Sequence, residues 1–137
     1  MEIKNQLLSK LTNRTAKVAI LGMGYVGLPL AVVFAEAGFN VIGIDPIQEK
    51  IDILNKGKSY ILDVSDKQVE DLVKAGKLKG TTNFSELSNV DAVSICVPTP
   101  LRKTGDPDLS FIISATEALS SYMHPGMVVV LESSTYP

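Results

Sequence analysis

Short runs of consecutive apolar residues alternate along this chain with stretches in which apolar residues recur every three or four positions. The short runs are typical of strands buried on both faces, and the recurring spacing is typical of amphipathic helices. The predicted strands are 17–21, 40–45, 79–82, 91–97 and 127–131. The predicted helices are 1–15, 26–37, 48–55, one opening at Ser65 and ending at Gly76, a turn at 85–87, and 109–119. The helix at Ser65 opens with a capping-box pattern, and the helix at 48–55 is expected to turn Ile47, Ile51 and Leu54 inward. The amphipathic face of the last helix is defined by Leu109, Ile112, Ile113, Thr116 and Leu119. Every connection between consecutive strands is long enough for a crossover, which predicts an α/β fold with an open parallel sheet.

One uncharged stretch, residues 18–35, is long enough for a transmembrane helix to be considered. Its glycines and Pro29 divide it into a β-type run at Val18–Leu21 and a stretch from Val26 with helical spacing. A buried strand followed by a buried helix explains this pattern better than a membrane span does. We therefore expect no membrane association, and the mixed polar residues before the stretch do not resemble a signal peptide.

Composition narrows the possible functions without naming one. The 137 residues are 45% hydrophobic and 20% charged, which fits one folded domain. One cysteine and one histidine exclude an intrachain disulfide framework and a Cys/His zinc site, and they favour a cytoplasmic location. With 13 basic and 15 acidic residues the net charge is −2, so no basic surface for nucleic acid is expected.

A glycine-rich turn is the first candidate for chemistry. Gly22, Gly24 and Gly27 form the pattern G-x-G-x-x-G between a predicted strand and a predicted helix. In this context the first glycine permits a tight turn, the second lets a pyrophosphate approach the backbone, and the third lets the helix pack on the strand. The amides at the start of the helix then attract the phosphates. The pattern predicts a Rossmann-type dinucleotide site, with helices on both faces of the sheet.

An acidic residue at the end of the second strand indicates which dinucleotide is bound. Asp45 follows Gly22 by 23 positions, where a carboxylate accepts hydrogen bonds from the adenosine ribose and repels the 2′-phosphate of NADP. NAD is therefore favoured as the cofactor. The alternatives are that the glycines only serve packing while Asp45 only caps the next helix, or that a methyltransferase uses a related glycine turn.

Several separate segments resemble one protein family. They are GMGYVGLPLA at 22–31, VIGIDPIQEKIDILNKGKS at 41–59, CVPTPL at 96–101, PDLS at 107–110 and LESSTYP at 131–137. In this order they are similar to the NAD-binding domain of the UDP-glucose/GDP-mannose dehydrogenase family, most of all to the branch that oxidises UDP-N-acetylhexosamines. The resemblance implies a leading amphipathic helix at 1–15 and a Rossmann domain at 16–137.

The resemblance also implies the site residues. Those expected to cradle the NAD pyrophosphate are Gly22, Met23, Gly24, Tyr25, Val26 and Gly27. Asp45 would hold the adenosine ribose with Lys50 beside it, and the cleft would be lined by Val97, Pro98 and Thr99. Ser133 and Ser134 would lie near the nicotinamide and the reacting centre, where the family usually has threonine in place of Ser134. That difference keeps the hydroxyl but loses the methyl group that restrains χ1.

Family chemistry is the oxidation of a sugar C6 alcohol to a carboxylate with two NAD, through a cysteine thiohemiacetal and thioester. The cysteine, lysine and glutamate of that chemistry belong to motifs that this sequence lacks, so no catalytic residue is expected in this chain beyond possible support from Ser134. We expect an N-terminal fragment with its last strand truncated and no activity alone. The rest of the enzyme would bind the UDP-sugar, and the full-length enzyme would be a homodimer or larger. The alternative is a stand-alone module that senses NAD or NADH.

Three further residues have competing interpretations. Cys96 lies in an apolar strand with no basic neighbour, so we interpret it as a buried small hydrophobe rather than a nucleophile. His124 precedes Pro-Gly at a helix end, where a positive charge is favourable, although a general base is an alternative. Tyr25 either stacks near the cofactor or only shields the turn.

Overall fold

The strands of the computed structural model, which describes residues 2–132, are short and all parallel. They are β1 (Lys17–Leu21), β2 (Asn40–Ile44), β3 (Leu78–Thr81), β4 (Ala92–Ile95) and β5 (Val128–Leu131). Together they form a five-stranded sheet in the order β3-β2-β1-β4-β5. This is the strand order of a Rossmann-type fold, and it confirms the predicted open parallel sheet.

Helices cover both faces of this sheet. They are α1 (Ile3–Asn13), α2 (Gly27–Glu36), α3 (Gln48–Asn55), α4 (Asp66–Lys74) and α5 (Ser110–Ser120), with a 3₁₀ helix at Phe84–Asn89. Alternate residues of β1 belong to different hydrophobic clusters, with Val18 on the α2 and α4 side and Ala19 on the α5 side. Side chains of a strand point alternately to opposite faces, so β1 is buried from both sides.

The connections on either side of β1 lead in opposite directions, which opens a crevice at the carboxyl ends of the central strands. Leu21 of β1 lies level with Ile44 of β2 and with Ile95 of β4. The three loops that follow these residues therefore start side by side. They carry the glycine-rich turn, Asp45 and the residues after Cys96.

Local signals at helix ends agree with the structure. Ser65 accepts a hydrogen bond from the Gln68 N–H at 3.1 Å, while the Gln68 side chain accepts one from the Ser65 N–H at 3.0 Å. This is the predicted capping box at the start of α4. Gly38 follows α2 with a φ of +105°, which is the predicted helix end.

The prediction of the buried face of α5 was partly wrong. The spacing places Leu109, Ile112, Ile113, Thr116 and Leu119 on one amphipathic face, but Leu109 is 41% and Ile113 is 55% exposed. The residues buried in α5 are Ala115 and Leu119. Apolar residues occupy two neighbouring stripes of this helix, so periodicity alone cannot identify the stripe that faces the sheet.

The leading helix is attached at the opposite edge of the sheet, where the strands begin. α1 has no buried residue, but the Lys10 ammonium lies 3.0 Å from the Asp91 carboxylate. The same carboxylate accepts the backbone N–H of Lys17 at 2.9 Å. Burial favours the neutral acid, but these donors outweigh it and lower the pKa of Asp91. Asp91 thus joins α1 to the start of β1.

Within residues 2–132, no helix is both long and apolar enough to span a bilayer. The stretch at 18–35 instead forms β1, the glycine-rich turn and most of α2.

Helix α2 approaches β1 so closely that two glycines are in contact. A Cβ placed on Gly27 would overlap the carbonyl oxygen of Gly22 and lie 3.3 Å from a methyl group of Ile20. The obstacle is backbone, which cannot move aside as a flexible side chain can. At Gly24, by contrast, no atom lies within 4 Å of the position that a Cβ would take, since that glycine faces open space.

These two glycines make a matched test of the close packing. We expect Gly27→Ala to lower the free energy of unfolding by about 2–3 kcal/mol, because the new methyl group must push α2 away from β1. Gly24→Ala should change it by less than about 1 kcal/mol. Urea denaturation of both variants measures the difference. Equal losses would contradict the close contact at Gly27.

Candidate functional site

Two adjoining clefts lie at the carboxyl edge of the sheet. The wider cleft, of about 530 Å³, runs along the glycine-rich turn from Gly24 to Tyr60 and Thr99. The narrower cleft, of about 260 Å³, lies beside it and reaches Phe84 and Phe111. Both clefts are lined by Gly22, Asp45, Lys50, Val97 and Pro98. The shared residues make the two clefts one elongated site.

The glycine-rich turn begins with a residue that a side chain would not fit. Gly22 has a φ of +92°, and a Cβ there would lie 3.0 Å from the backbone of Cys96 and Val97. Its N–H donates to the carbonyl of Ile44 at 2.8 Å, which extends the β1–β2 pairing by one residue. The backbone therefore turns sharply at the end of β1 and leads along the wider cleft into α2.

Asp45 connects this turn to the start of the next helix. The residue is only 4% exposed. Its Oδ2 accepts the N–H of Met23 at 2.9 Å, and its Oδ1 accepts the N–H of Ile47 at 2.9 Å. A buried carboxylate requires such donors. The alternative that gives Asp45 a structural role is thus supported, since it holds both the glycine-rich turn and the residue before α3.

The same carboxylate also faces a cation. The Lys50 ammonium lies 3.5 Å from Asp45 Oδ2, and its side chain is one-third exposed at the cleft. An ionised carboxylate has about four acceptor positions, of which two accept these backbone N–H groups and a third faces the Lys50 ammonium. One position remains for a ligand hydroxyl. The predicted contact between Asp45 and a ribose is compatible with this geometry.

Tyr60 was not anticipated from the sequence. Its hydroxyl donates to the carbonyl of Met23 at 2.5 Å, although 37 residues separate the two. Burial, and secondly the negative charge of Asp45, raise the pKa of this phenol well above its usual value. Tyr60 remains a neutral donor at physiological pH. It lies in a turn without hydrophobic periodicity, so no local signal marks it.

The loop after β4 forms the opposite wall of the site. Val97, Pro98 and Thr99 line the wider cleft as expected. Cys96, just before them, is 6% exposed, and its thiol lies 3.6 Å from the Ser94 hydroxyl. Burial, with a smaller effect of Glu132, raises the pKa of the Cys96 thiol against the opposing effect of Ser94. The prediction that it is a buried residue is confirmed, and a thiol with a raised pKa is a poor nucleophile.

The narrower cleft has mostly apolar walls. Ile47 and Phe111, which are 48% and 46% exposed, line it together with Phe84 and Pro46. The expectation that Ile47 points into the core was wrong, because it precedes α3 in an extended conformation and faces this cleft instead. Phe84 and Phe111 were missed as site residues. They come from the 3₁₀ helix and from α5, which only the tertiary fold brings to Asp45.

The predicted site residues are largely brought together. Nine of them line the wider cleft: Gly22, Gly24, Tyr25, Val26, Asp45, Lys50, Val97, Pro98 and Thr99. Met23 and Gly27 belong to the turn but do not line either cleft, since the Met23 side chain is buried in the core and Gly27 faces Gly22. Ser133 and Ser134 lie outside the described residues.

His124 and Tyr25 have very different positions. The Nε2 atom of His124 lies 2.7 Å from the carbonyl oxygen of Val90. This places it at the opposite edge of the sheet, next to the start of β4, and away from both clefts. Tyr25 lines the wider cleft and is 82% exposed. Among residues 2–132, no cluster of His, Cys, Asp and Glu could hold a metal ion.

Known proteins with similar sequences share this region of the chain. Residues 16–137 match the family model for the UDP-glucose/GDP-mannose dehydrogenase family, NAD binding domain. A UDP-N-acetyl-D-mannosamine dehydrogenase of Campylobacter jejuni is 40% identical over 125 residues, covering 90% of this chain and 30% of the relative. A protein of the same name from Pyrococcus horikoshii is 37% identical over 122 residues, covering 88% of this chain and 29% of the relative.

A solved structure also matches along the whole chain. The NDP-N-acetyl-D-galactosaminuronic acid dehydrogenase of Methanosarcina mazei superposes with a TM-score of 0.85 at 37% identity, covering 100% of this chain and 31% of that one. The chain thus spans about a third of the length of the proteins it matches. The matched region is a cofactor-binding domain, and its cofactor is NAD.

The double role of Asp45 can be tested by removing its carboxylate. Asp45→Ala leaves the N–H groups of Met23 and Ile47 without their acceptor, and we expect it to cost about 2–4 kcal/mol of unfolding free energy. Asp52→Ala is the matched control, because the Asp52 carboxylate accepts a hydrogen bond from Gln48 on the exposed side of α3. This substitution should cost less than about 0.5 kcal/mol. Urea denaturation distinguishes them. A loss at Asp45 as small as that at Asp52 would contradict the assigned role.

Proposed function

Because this chain belongs to the UDP-glucose/GDP-mannose dehydrogenase family, we propose that it binds NAD for an enzyme that oxidises the C6 alcohol of a UDP-N-acetylhexosamine. The product would be the corresponding uronic acid, formed with two NAD per sugar. The observation that carries this proposal is the elongated site, in which a carboxylate lies between an apolar cleft and a glycine-rich turn. An adenosine followed by a pyrophosphate would need these surfaces in this order.

The residues present fit the cofactor. The apolar walls at Ile47 and Phe111 suit the faces of an adenine ring, and Asp45 has an acceptor position left for a ribose hydroxyl. Beyond Asp45, Gly24 leaves open space where a side chain would otherwise stand. The turn from Gly24 to Gly27 leads into the amino-terminal end of α2, and the positive end of the helix dipole attracts a negative group. The adenosine diphosphate half of NAD therefore matches the site from end to end.

Bound NAD would supply the hydride acceptor, and this chain's residues would position it. Val97, Pro98 and Thr99 would direct the cofactor past the end of β4. Ser133 and Ser134 are proposed near the nicotinamide and the reacting carbon. The buried Cys96 is unsuited to the nucleophilic role, so we assign the catalytic cysteine to a further part of the enzyme.

The substrate is proposed as a UDP-N-acetylhexosamine, with UDP-N-acetylglucosamine as the first candidate. Both named sequence relatives are UDP-N-acetyl-D-mannosamine dehydrogenases, which supports the N-acetylhexosamine class. The part of the enzyme that recognises the sugar would lie outside this chain, and the complete enzyme is proposed to be a homodimer or larger.

The charge of Asp45 predicts the choice of cofactor. We expect the affinity of this chain for NAD to be at least about tenfold higher than its affinity for NADP, because the 2′-phosphate of NADP would approach a buried carboxylate. Isothermal titration with both dinucleotides measures the ratio. Equal affinities, or a preference for NADP, would contradict the role assigned to Asp45.

A second experiment addresses catalysis by the chain alone. With NAD and UDP-N-acetylglucosamine or UDP-N-acetylmannosamine, we expect no NADH above background, because Cys96 is buried. Absorbance of NADH over time is the measurement, and the complete enzyme from a relative is the positive control. Turnover by this chain that survives Cys96→Ser would show that the nucleophile was assigned wrongly.

A further inference from the structure

The residue between the first two glycines is held from three directions. The Met23 N–H donates to Asp45 Oδ2 at 2.9 Å, and the Met23 carbonyl accepts the Tyr60 hydroxyl at 2.5 Å. Its side chain is fully buried against Gly43. A Cβ added to Gly43 would lie only 2.5 Å from the Cε of Met23. Met23 is therefore the fixed point of an otherwise open turn.

Fixing the Met23 carbonyl also fixes the next amide. The carbonyl of Met23 and the N–H of Gly24 belong to one planar trans peptide group, so they point in opposite directions. Gly24 lines the wider cleft, and no atom lies within 4 Å of the position that a Cβ on it would take. A glycine has little intrinsic preference for one orientation. The Gly24 carbonyl accepts the N–H of Leu28 at 3.1 Å, and the Tyr60 hydroxyl constrains the peptide group on its other side.

We propose that Tyr60 is a positioning residue that orients the Met23–Gly24 peptide group, and with it the backbone amides that receive the diphosphate of the cofactor. The inference rests on the proposed function, since it concerns the same site. Tyr60 lies at the wall of the wider cleft and acts through the backbone rather than through contact with the adenosine half. Preorganised donors bind a ligand more tightly because less ordering remains to be done on binding.

The chemistry of Tyr60 suits a permanent donor. The phenol is partly buried, and the Asp45 carboxylate lies close enough to oppose its ionisation. Both effects raise the pKa of Tyr60, so its hydroxyl keeps its proton at neutral pH and above. Asp45 thus holds the N–H side of Met23 directly, and its charge opposes ionisation of the phenol on the carbonyl side.

Tyr60→Phe tests the proposal, because it removes the hydroxyl and keeps the ring. ADP and adenosine are the probes, since they differ by the diphosphate. We expect this variant to bind ADP about five- to tenfold more weakly than the wild-type chain, from the loss of one hydrogen bond. Its affinity for adenosine should stay within about twofold. The amide resonance of Gly24 should shift in the NMR spectrum of the ligand-free variant.

Tyr122→Phe is the matched control. Tyr122 follows α5 and packs against the cluster on the other face of the sheet, outside both clefts. The Tyr122→Phe variant should bind ADP and adenosine with the affinities of the wild-type chain. Melting temperatures of both variants show whether the fold is kept. In the wild-type chain, the ring resonances of Tyr60 should shift on adding ADP and not on adding adenosine, which provides a test that needs no variant.

Other results of these experiments would overturn either the positioning role of Tyr60 or the proposed function. Unchanged ADP binding by Tyr60→Phe, or equal weakening of ADP and adenosine, would overturn the positioning role while leaving the proposed function intact. Wild-type Tyr60 resonances that do not respond to ADP would overturn it as well, even if the variant failed to fold. Failure of the wild-type chain to bind either NAD or ADP would instead overturn the proposed function itself.

Discussion

The site depends on one buried carboxylate. Asp45 accepts N–H groups from the turn after β1 and from the turn after β2, so two loops from different strands share one anchor. The energetic cost of burying its charge is offset by those donors and by Lys50. Because Asp45 lines both clefts, the same group that fixes the loops is also the one that we propose to bind the ribose of the cofactor.

Each glycine of the turn is needed for a different physical reason. Gly22 and Gly27 are required by contacts within the protein, since a Cβ on either would meet neighbouring backbone. Gly24 has no such contact and faces the cleft. Gly27 thus serves the packing of α2 on β1, Gly22 serves the close approach of the turn to the segment after β4, and Gly24 leaves room for a ligand. The packing interpretation and the dinucleotide interpretation therefore apply to different residues of the same motif.

Local sequence patterns predicted some features of the structure and missed others. The capping box at Ser65 and the strand–turn–helix order around Gly22 were identified because the residues that make them are close in the chain. The inward face of α5 and the direction of Ile47 were misassigned, because each depends on which neighbour the element meets. Tyr60 was missed for the same reason, since its partner Met23 is 37 residues away.

Residue patterns along the chain were enough to predict the alternation of strands and helices, the glycine-rich turn and the acidic residue at the end of β2, which together indicate an NAD-binding Rossmann domain. These features are encoded by hydrophobic period and by backbone freedom, which act over a few residues. The folded chain was needed to find that Phe84 and Phe111 complete the apolar cleft and that Tyr60 holds the turn. Such contacts join distant segments, and the strand order that brings them together is set by packing of the whole sheet.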